Sequence, residues 1–271
     1  MILPGDILAV LVCYKTDYRQ CSSWKSLQRS HAASHMHWLV YDNSPASVTP
    51  DANVHYEHHP ENRGVSAAYL RAAALAASRS LSWILLLDQD SVFPDNWFES
   101  YKTAMEQYPE QVLFVPRIPA EAALLSPSRL RLGRTWPAKP FPTGSFSLYH
   151  YAPINAGMMV STKAYVQTGG HDEQVQLDFS DLAFLHRFRK SFPQACLCDF
   201  DIAHQLSGAE KANQEQRLQR FRQYCRDATA FLKADGPAWS MAFWTTWRAL
   251  LLSFRYRSLK FFNVLLRDFR I

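Results

Sequence analysis

Residues 7–13, ILAVLVC, form an unbroken apolar run, the pattern of a strand covered on both faces. The mixed stretch SSWKSLQRSHAAS follows and reads as a helix with Ser22 or Ser23 as its cap. A second apolar run, HWLVYD, ends at Asp42 before the turn signal DNSP. A shorter strand near NVHYEH leads into PENRGVSAAYLRAAALAASRS, whose alanine-rich second half predicts a helix. The next strand, WILLLD at 83–88, is the most apolar of all. Strands alternating with helices at this spacing predict an α/β fold with a mostly parallel sheet and right-handed crossovers. Ligands of such sheets bind beyond the carboxyl ends of the strands. Tyr14, Asp17, Asp42, Asn43, Asp88 and Asp90 all follow strand ends, so one rim of the sheet is furnished with polar groups.

After VLFVP the pattern breaks down. Residues 116–145 hold six prolines and little periodicity, and read as a loop over the site. A second patterned stretch runs from PINAGMMVS to HRFRKSF and predicts a strand, a Gly-Gly turn and a helix bearing Asp178 and Asp181. A last strand is expected over Cys196–Phe200, ending near His204, and the chain from about Ala209 onward reads as helical. These patterns divide it into residues 1–208, containing the 116–145 segment, and a helical extension over 209–271.

Composition adds constraints. With 48% apolar and 20% charged residues in 271, the chain is globular and long enough for a sizeable core. Five cysteines without metal-type spacing point to reduced thiols and a cytosolic setting. The start lacks a basic segment and has a Pro-Gly turn, which argues against a secretory signal. No uncharged apolar run is long enough to span a bilayer. The net charge of +5 is concentrated toward the tail, where AWSMAFWTTWRALLLSFRYRSLKFFNVLLRDFRI carries six Arg or Lys and one Asp. Its Trp and Phe residues recur largely at helical spacing, which fits an interfacial helix on anionic lipid or a helix packed on the domain or a partner. No nucleic-acid-binding module is recognisable.

The candidate chemistry centres on Asp88-Gln89-Asp90. In an extended segment residues i and i+2 face one side, so both carboxylates can meet one ligand. Hard oxygen ligands in an open site suit Mg²⁺ or Mn²⁺ bridged to phosphates. The competing explanation, a turn or cap at Asp90, accounts for one aspartate but not two. Asn62-Arg63-Gly64 opens a helix, where free N–H groups and a guanidinium favour a diphosphate, although a plain helix start has the same residues. Asp178 and Asp181 share a face if helical; one is a candidate general base, and a negatively charged first turn is the alternative. Neither a Walker-type phosphate loop nor a G-x-G-x-x-G is present.

Taken in order, VLVCYKTD, VYDNSP, NRGVSAAYLRA, LLLDQDSVFP, NAGMMVS, GGHDEQVQLDFSDLAFLHR and AHQLSG resemble the inverting nucleotide-sugar glycosyltransferases of family 2, and most closely their bacterial rhamnosyltransferase-like branch. The resemblance covers roughly residues 7–208 and implies a GT-A fold: a Rossmann-like, mostly parallel central sheet flanked by helices, here with a C-terminal helical extension. It implies that Tyr14 and Asp17 lie on a nucleotide-facing loop and that Asp42 holds the pyrimidine. Asn62, Arg63 and Gln89 would join the donor site, with Asp88 on the ribose or the metal. Asp90 would ligate Mg²⁺ or Mn²⁺, with His204 nearby, and Asp181 would be the catalytic base. Asn155, Gly157 and Asp178 fall on the acceptor side. The implied reaction moves a sugar, with L-rhamnose from dTDP-rhamnose as first expectation and a UDP-sugar as alternative. The implied acceptor is a hydroxyl of a bacterial surface glycan or glycolipid of the O-antigen, lipopolysaccharide-core or capsule type. A peripheral place on the cytoplasmic face of the cell membrane would suit such an acceptor. From another class, LLLDQDSV also fits the nucleophile strand of a haloacid-dehalogenase-type phosphatase, although some 80 residues of strand–helix units precede it.

Overall fold

The computed structural model describes residues 2–120, 123–131, 133–139, 144–204, 213–234 and 236–270, with Ala120, Ala123, His204 and Ala238 described in their backbone only. The first half alternates β1 (Ile7–Cys13), α1 (Ser22–Leu27), β2 (His37–Asp42), β3 (His55–His58), α2 (Gly64–Ser78), β4 (Trp83–Leu87), β5 (Ser91–Val92) and α3 (Trp97–Gln107). Then come β6 (Leu113–Ala120), β7 (Ala123–Arg131), β8 (Arg134–Ala138), β9 (Ser145–Ser147), β10 (Tyr151–Ala152) and β11 (Met158–Ser161). The remainder holds α4 (Thr162–Gln167), α5 (Ser180–Phe188), β12 (Gln194–Asp201), β13 (Ala203–His204), α6 (Gln214–Lys233), α7 (Ala238–Arg255) and α8 (Lys260–Asp268).

Strands β4, β1, β2 and β3 are parallel neighbours, as the apolar runs predict. Strand β11 is inserted antiparallel between β4 and β6, and β12 pairs parallel with β6. Every residue of β1 is buried. Its alternate residues enter two cores: Ile7, Ala9 and Leu11 pack with Trp97 and Tyr101 of α3, whereas Leu8, Val10 and Val12 pack with the alanines of α2 and with Phe184 of α5. A strand covered on both faces needs such a continuous apolar sequence.

Three expectations need correction. The helix expected over 22–34 is split: α1 ends at Leu27, a 3-10 turn occupies His31–His35, and Cys21 rather than Ser22 or Ser23 is the N-cap. Segment 116–145 is not a loop in its described part, because β6, β7 and β8 form a meander. Its prolines hid that pattern; Pro119 and Pro127 fall where the pairing register shifts, which is where a sheet tolerates a residue without an N–H. Asp178 is not on a helix, since α5 starts at Ser180 after Phe179 in the left-handed region at φ 65°. The C-terminal helices do form, and α6 packs on both α7 and α8 around Phe221, Phe261 and Leu265. The five cysteines are free and buried.

Candidate active site

The carboxyl ends of β1, β2 and β4 open onto a cleft of about 920 Å³, closed on the far side by the residues before β11 and the start of α5. Tyr14, Asn62, Asp88, Gln89, Asp90, Asn155, Asp178 and Asp181 all line it, although they come from distant parts of the chain.

The Asp88-Gln89-Asp90 segment is pinned by main-chain contacts. Ser22 N–H donates to the Gln89 carbonyl at 2.9 Å, and the Ser23 hydroxyl donates to the Asp88 carbonyl. The Gln89 side chain accepts the Tyr14 N–H at 2.9 Å, tying this segment to the end of β1. Ser91 donates its hydroxyl to Asp88 Oδ1, and its backbone pairs with that of His204 across β5 and β13. The His204 side chain, and residues 205–208 of the AHQLSG motif, lie outside the described residues.

Among the described residues no group of three or more His, Cys, Asp or Glu stands ready to cage an ion. The donor set still fits Mg²⁺ or Mn²⁺. These ions keep several ligand positions for phosphates and water and need only one or two protein carboxylates. Asp88 and Asp90, both half-buried on the cleft wall, supply that number.

On the opposite wall, Asp181 occupies the first turn of α5 and accepts the Leu182 N–H at 2.8 Å. Burial, with a smaller contribution from the Asp178 charge, pushes its carboxyl up to about 6. It is therefore mostly ionised at neutral pH yet basic enough to accept a proton. Asp178 is instead held in a two-pronged ion pair by Arg220 of α6, with Nη2–Oδ1 at 2.9 Å. Of the two candidates, Asp181 is the one whose surroundings suit a base.

Not every expected donor residue lines the cleft. Asp42 is buried and engaged: its Oδ1 accepts the Ser44 N–H at 2.8 Å and its Oδ2 accepts the Tyr56 hydroxyl at 2.6 Å. Its neighbour Asn43 reaches the cleft, and its Oδ1 accepts the Arg63 N–H at 3.1 Å. Asp17 caps the turn at Tyr18–Gln20 and pairs with Arg19 at 2.8 Å, outside the cleft. The Arg63 guanidinium lies 3.6 Å from Glu173 and lines a separate small cavity. Gly157 acts through its backbone: at φ +74° a Cβ would fall 2.6 Å from Ile202, and its carbonyl accepts the Tyr101 hydroxyl. Asn62 remains on the wall, just before Gly64, where a Cβ would come within 2.5 Å of the Gln176 carbonyl. Only glycine allows α2 to start so close to the 176–178 loop.

Three participants escaped the sequence reading. Tyr69 of α2 lines the cleft, and burial together with the Asp88 and Asp181 charges keeps its hydroxyl protonated. His171 is buried against the Phe184 ring at 4.6 Å. Its pKa is lowered to about 3 by desolvation and the Arg187 charge, so it is neutral. The contacts around it then have one consistent direction. The Tyr165 hydroxyl accepts the His171 backbone N–H at 3.1 Å and donates to Nδ1 at 2.8 Å. Nε2–H donates to Asn155 Oδ1 at 3.2 Å, and Asn155 Nδ2 donates to Ser180 Oγ at 3.3 Å, next to Asp181. Last, buried Asp227 of α6 accepts the backbone N–H groups of Gln176, Leu177 and Asp178 at 2.9–3.2 Å. The GGHD turn could have flagged His171; nothing local in the sequence marks Asp227.

Residues 41–166, just under half of the chain, match the sequence profile of glycosyl transferase family 2. No curated protein matches the sequence significantly. Among solved structures, the chain is similar to residues 1–349 of S. aureus TarS, with a TM-score of 0.52 at 10% identity over 82% of this chain and 65% of that one. The same TarS segment in complex with UDP gives 0.50 at 11% identity, over 82% and 65%. GalNAc-T7 with UDP, GalNAc and Mn²⁺ gives 0.51 at 11% identity, over 80% and 46%. The chain thus spans less than two-thirds of these structures, and at such identities the likeness establishes the fold. The phosphatase reading is not favoured, because Asp88 follows the fourth strand rather than the first and the profile match falls on glycosyl transferase family 2. Residues 41–166 thus resemble glycosyl transferase family 2, and the fold around them is similar to that of TarS and GalNAc-T7.

Proposed function

We propose that the chain is a metal-dependent inverting glycosyltransferase that moves a sugar from a nucleoside diphosphate to an acceptor hydroxyl. The observation that carries this reading is the meeting of Asp88 and Asp90 with Asp181 across one cleft. Asp88 and Asp90 would hold the divalent ion, which when bound neutralises charge on the departing diphosphate. Asn43 and Asn62 offer amide groups along the nucleotide side of the same cleft. Asp181 takes the proton of the acceptor hydroxyl as its oxygen attacks the anomeric carbon from the face opposite the diphosphate, which inverts that centre. The ion pair between Arg220 and Asp178 supports Asp181 over Asp178 for this role.

The D-Q-D form favours dTDP-L-rhamnose as donor, whereas the UDP held by the similar structures favours a UDP-sugar. For the acceptor we favour a glycan on a bacterial surface lipid, met at the inner face of the cell membrane. No described helix is long and apolar enough to cross a bilayer, but α7 turns Trp239, Phe243, Trp247, Leu250 and Phe254 outward along one face. Calorimetric titration of dTDP- and UDP-sugars with and without Mn²⁺ tests the donor side. Binding should require the ion, and Asp90→Ala should abolish turnover with its melting temperature unchanged. Full activity of that variant, or of the wild type in excess chelator, refutes the metal assignment.

A further inference from the structure

A second cavity, of about 570 Å³, adjoins the cleft and shares Ile154, Asp178 and Asp181 with it. One wall is the β7–β8 hairpin and the other is α7. Two cations stand at this cavity, each close to an aromatic side chain. The Arg134 guanidinium lies 4.4 Å from the Trp244 ring centre and 4.8 Å from that of Trp136. The Arg248 guanidinium lies 4.2 Å from the Tyr224 ring centre. Both arginines are exposed, and among the described residues neither is ion-paired with a carboxylate. A guanidinium held near a ring by cation–π attraction still has several N–H groups to offer a planar or tetrahedral anion. Of the acids on the wall, Asp178 is already neutralised by Arg220, so the cavity carries excess positive charge. The indoles of Trp244 and Trp247 add flat apolar surface on which a sugar ring can lie.

We propose that this cavity is the acceptor subsite and that it takes a carbohydrate carrying an anionic group, phosphate or carboxylate, recognised by Arg134 and Arg248. The proposal rests on the transferase reading above and adds the acceptor's chemical class. The anion anchors the acceptor on the α7 side, and the shared wall delivers one hydroxyl to Asp181. There the O–H bond breaks with its proton passing to the Asp181 carboxylate, and the oxygen forms the new bond to the anomeric carbon. The bond to the diphosphate breaks, and its electron pair leaves with the nucleoside diphosphate.

The test uses the full chain at low ionic strength, saturated with Mn²⁺ and UDP or dTDP so that the donor cleft is filled. Methyl glucuronide, glucose 6-phosphate and neutral methyl glucoside are titrated in parallel. At least one anionic probe should bind about tenfold more tightly than the neutral one, and comparing the two identifies the anion. Arg134→Gln and Arg248→Gln should each weaken that probe about fivefold or more, with nucleotide affinity and melting temperature unchanged. Equal binding of all three probes, or undiminished anion binding by the double variant, overturns the proposal. Failure of both nucleotides to bind, with charge-selective probe binding retained, would sink the transferase reading while leaving an anion subsite in place.

Discussion

At the residue scale the decisive contrast lies between Asp178 and Asp181. Sequence spacing left the two equivalent, because a three-residue separation says nothing about which one meets an arginine from a distant helix. Arg220 separates them by engaging Asp178 alone. Burial then sets the behaviour of Asp181, whose carboxyl sits near 6 against an ordinary value of 3.8. Transfer should therefore fall about tenfold per pH unit below roughly 6, where the base is protonated. Asp181→Asn should bind donor normally but lose transfer at every pH. Stability should move the other way. An acid whose pKa is raised by folding costs nothing below the unfolded value, costs progressively more between about 4 and 6, and carries the full cost above that. Asp181→Asn should consequently be more stable than wild type at pH 7.5, by on the order of 1–3 kcal/mol, and equal to it near pH 3. Denaturant melts at the two pH values check this, and a variant less stable at pH 7.5 would contradict the assigned environment.

At the element scale, α7 is turned inside out. Its inward side buries Ser240, Met241, Thr245 and Ala249, while Trp239, Phe243, Trp247 and Phe254 are exposed, Phe254 by 88% and Trp239 by 65%. Arg255, Arg257 and Lys260 follow directly. Such a face suits the headgroup region of an anionic bilayer. The full chain should sediment with phosphatidylglycerol-containing vesicles and not with neutral ones, and Trp239→Ser with Phe254→Ser should weaken that binding about tenfold or more. A stable dimer in solution that ignores vesicles would show instead that a second copy covers the face. The parallel strands were legible because burial on both faces demands unbroken apolar runs, and because acids at their ends stand out against such runs. The β6–β8 meander was not, since its prolines read as loop residues and only the register shifts that receive them restore the pattern.

At the scale of the molecule, the segments on the two sides of the 208/209 division meet at the cleft. Helix α6 supplies Arg220 to Asp178 and Asp227 to three backbone N–H groups of the loop that closes the cleft. An aspartate that accepts main-chain donors so far away leaves no local signature, so this part of the site was invisible to motif and period alike. Asp227→Ala should strand those donors and cost roughly 3 kcal/mol. Amide exchange at 176–178 should quicken and transfer should fall, while nucleotide affinity, set by the strand-end rim, stays level. Loss of nucleotide binding together with transfer would contradict that separation. The same clamp bears on a chain still being made. A chain still lacking α6 already contains the sequence of every strand and of the Asp88–Asp90 segment, yet it lacks the groups that tie down residues 176–178 beside Asp181. If the proposed function holds, interrupted products of translation should bind a donor without transferring its sugar, and activity should arise only in polypeptides that extend into the helices leading to the outward face of α7.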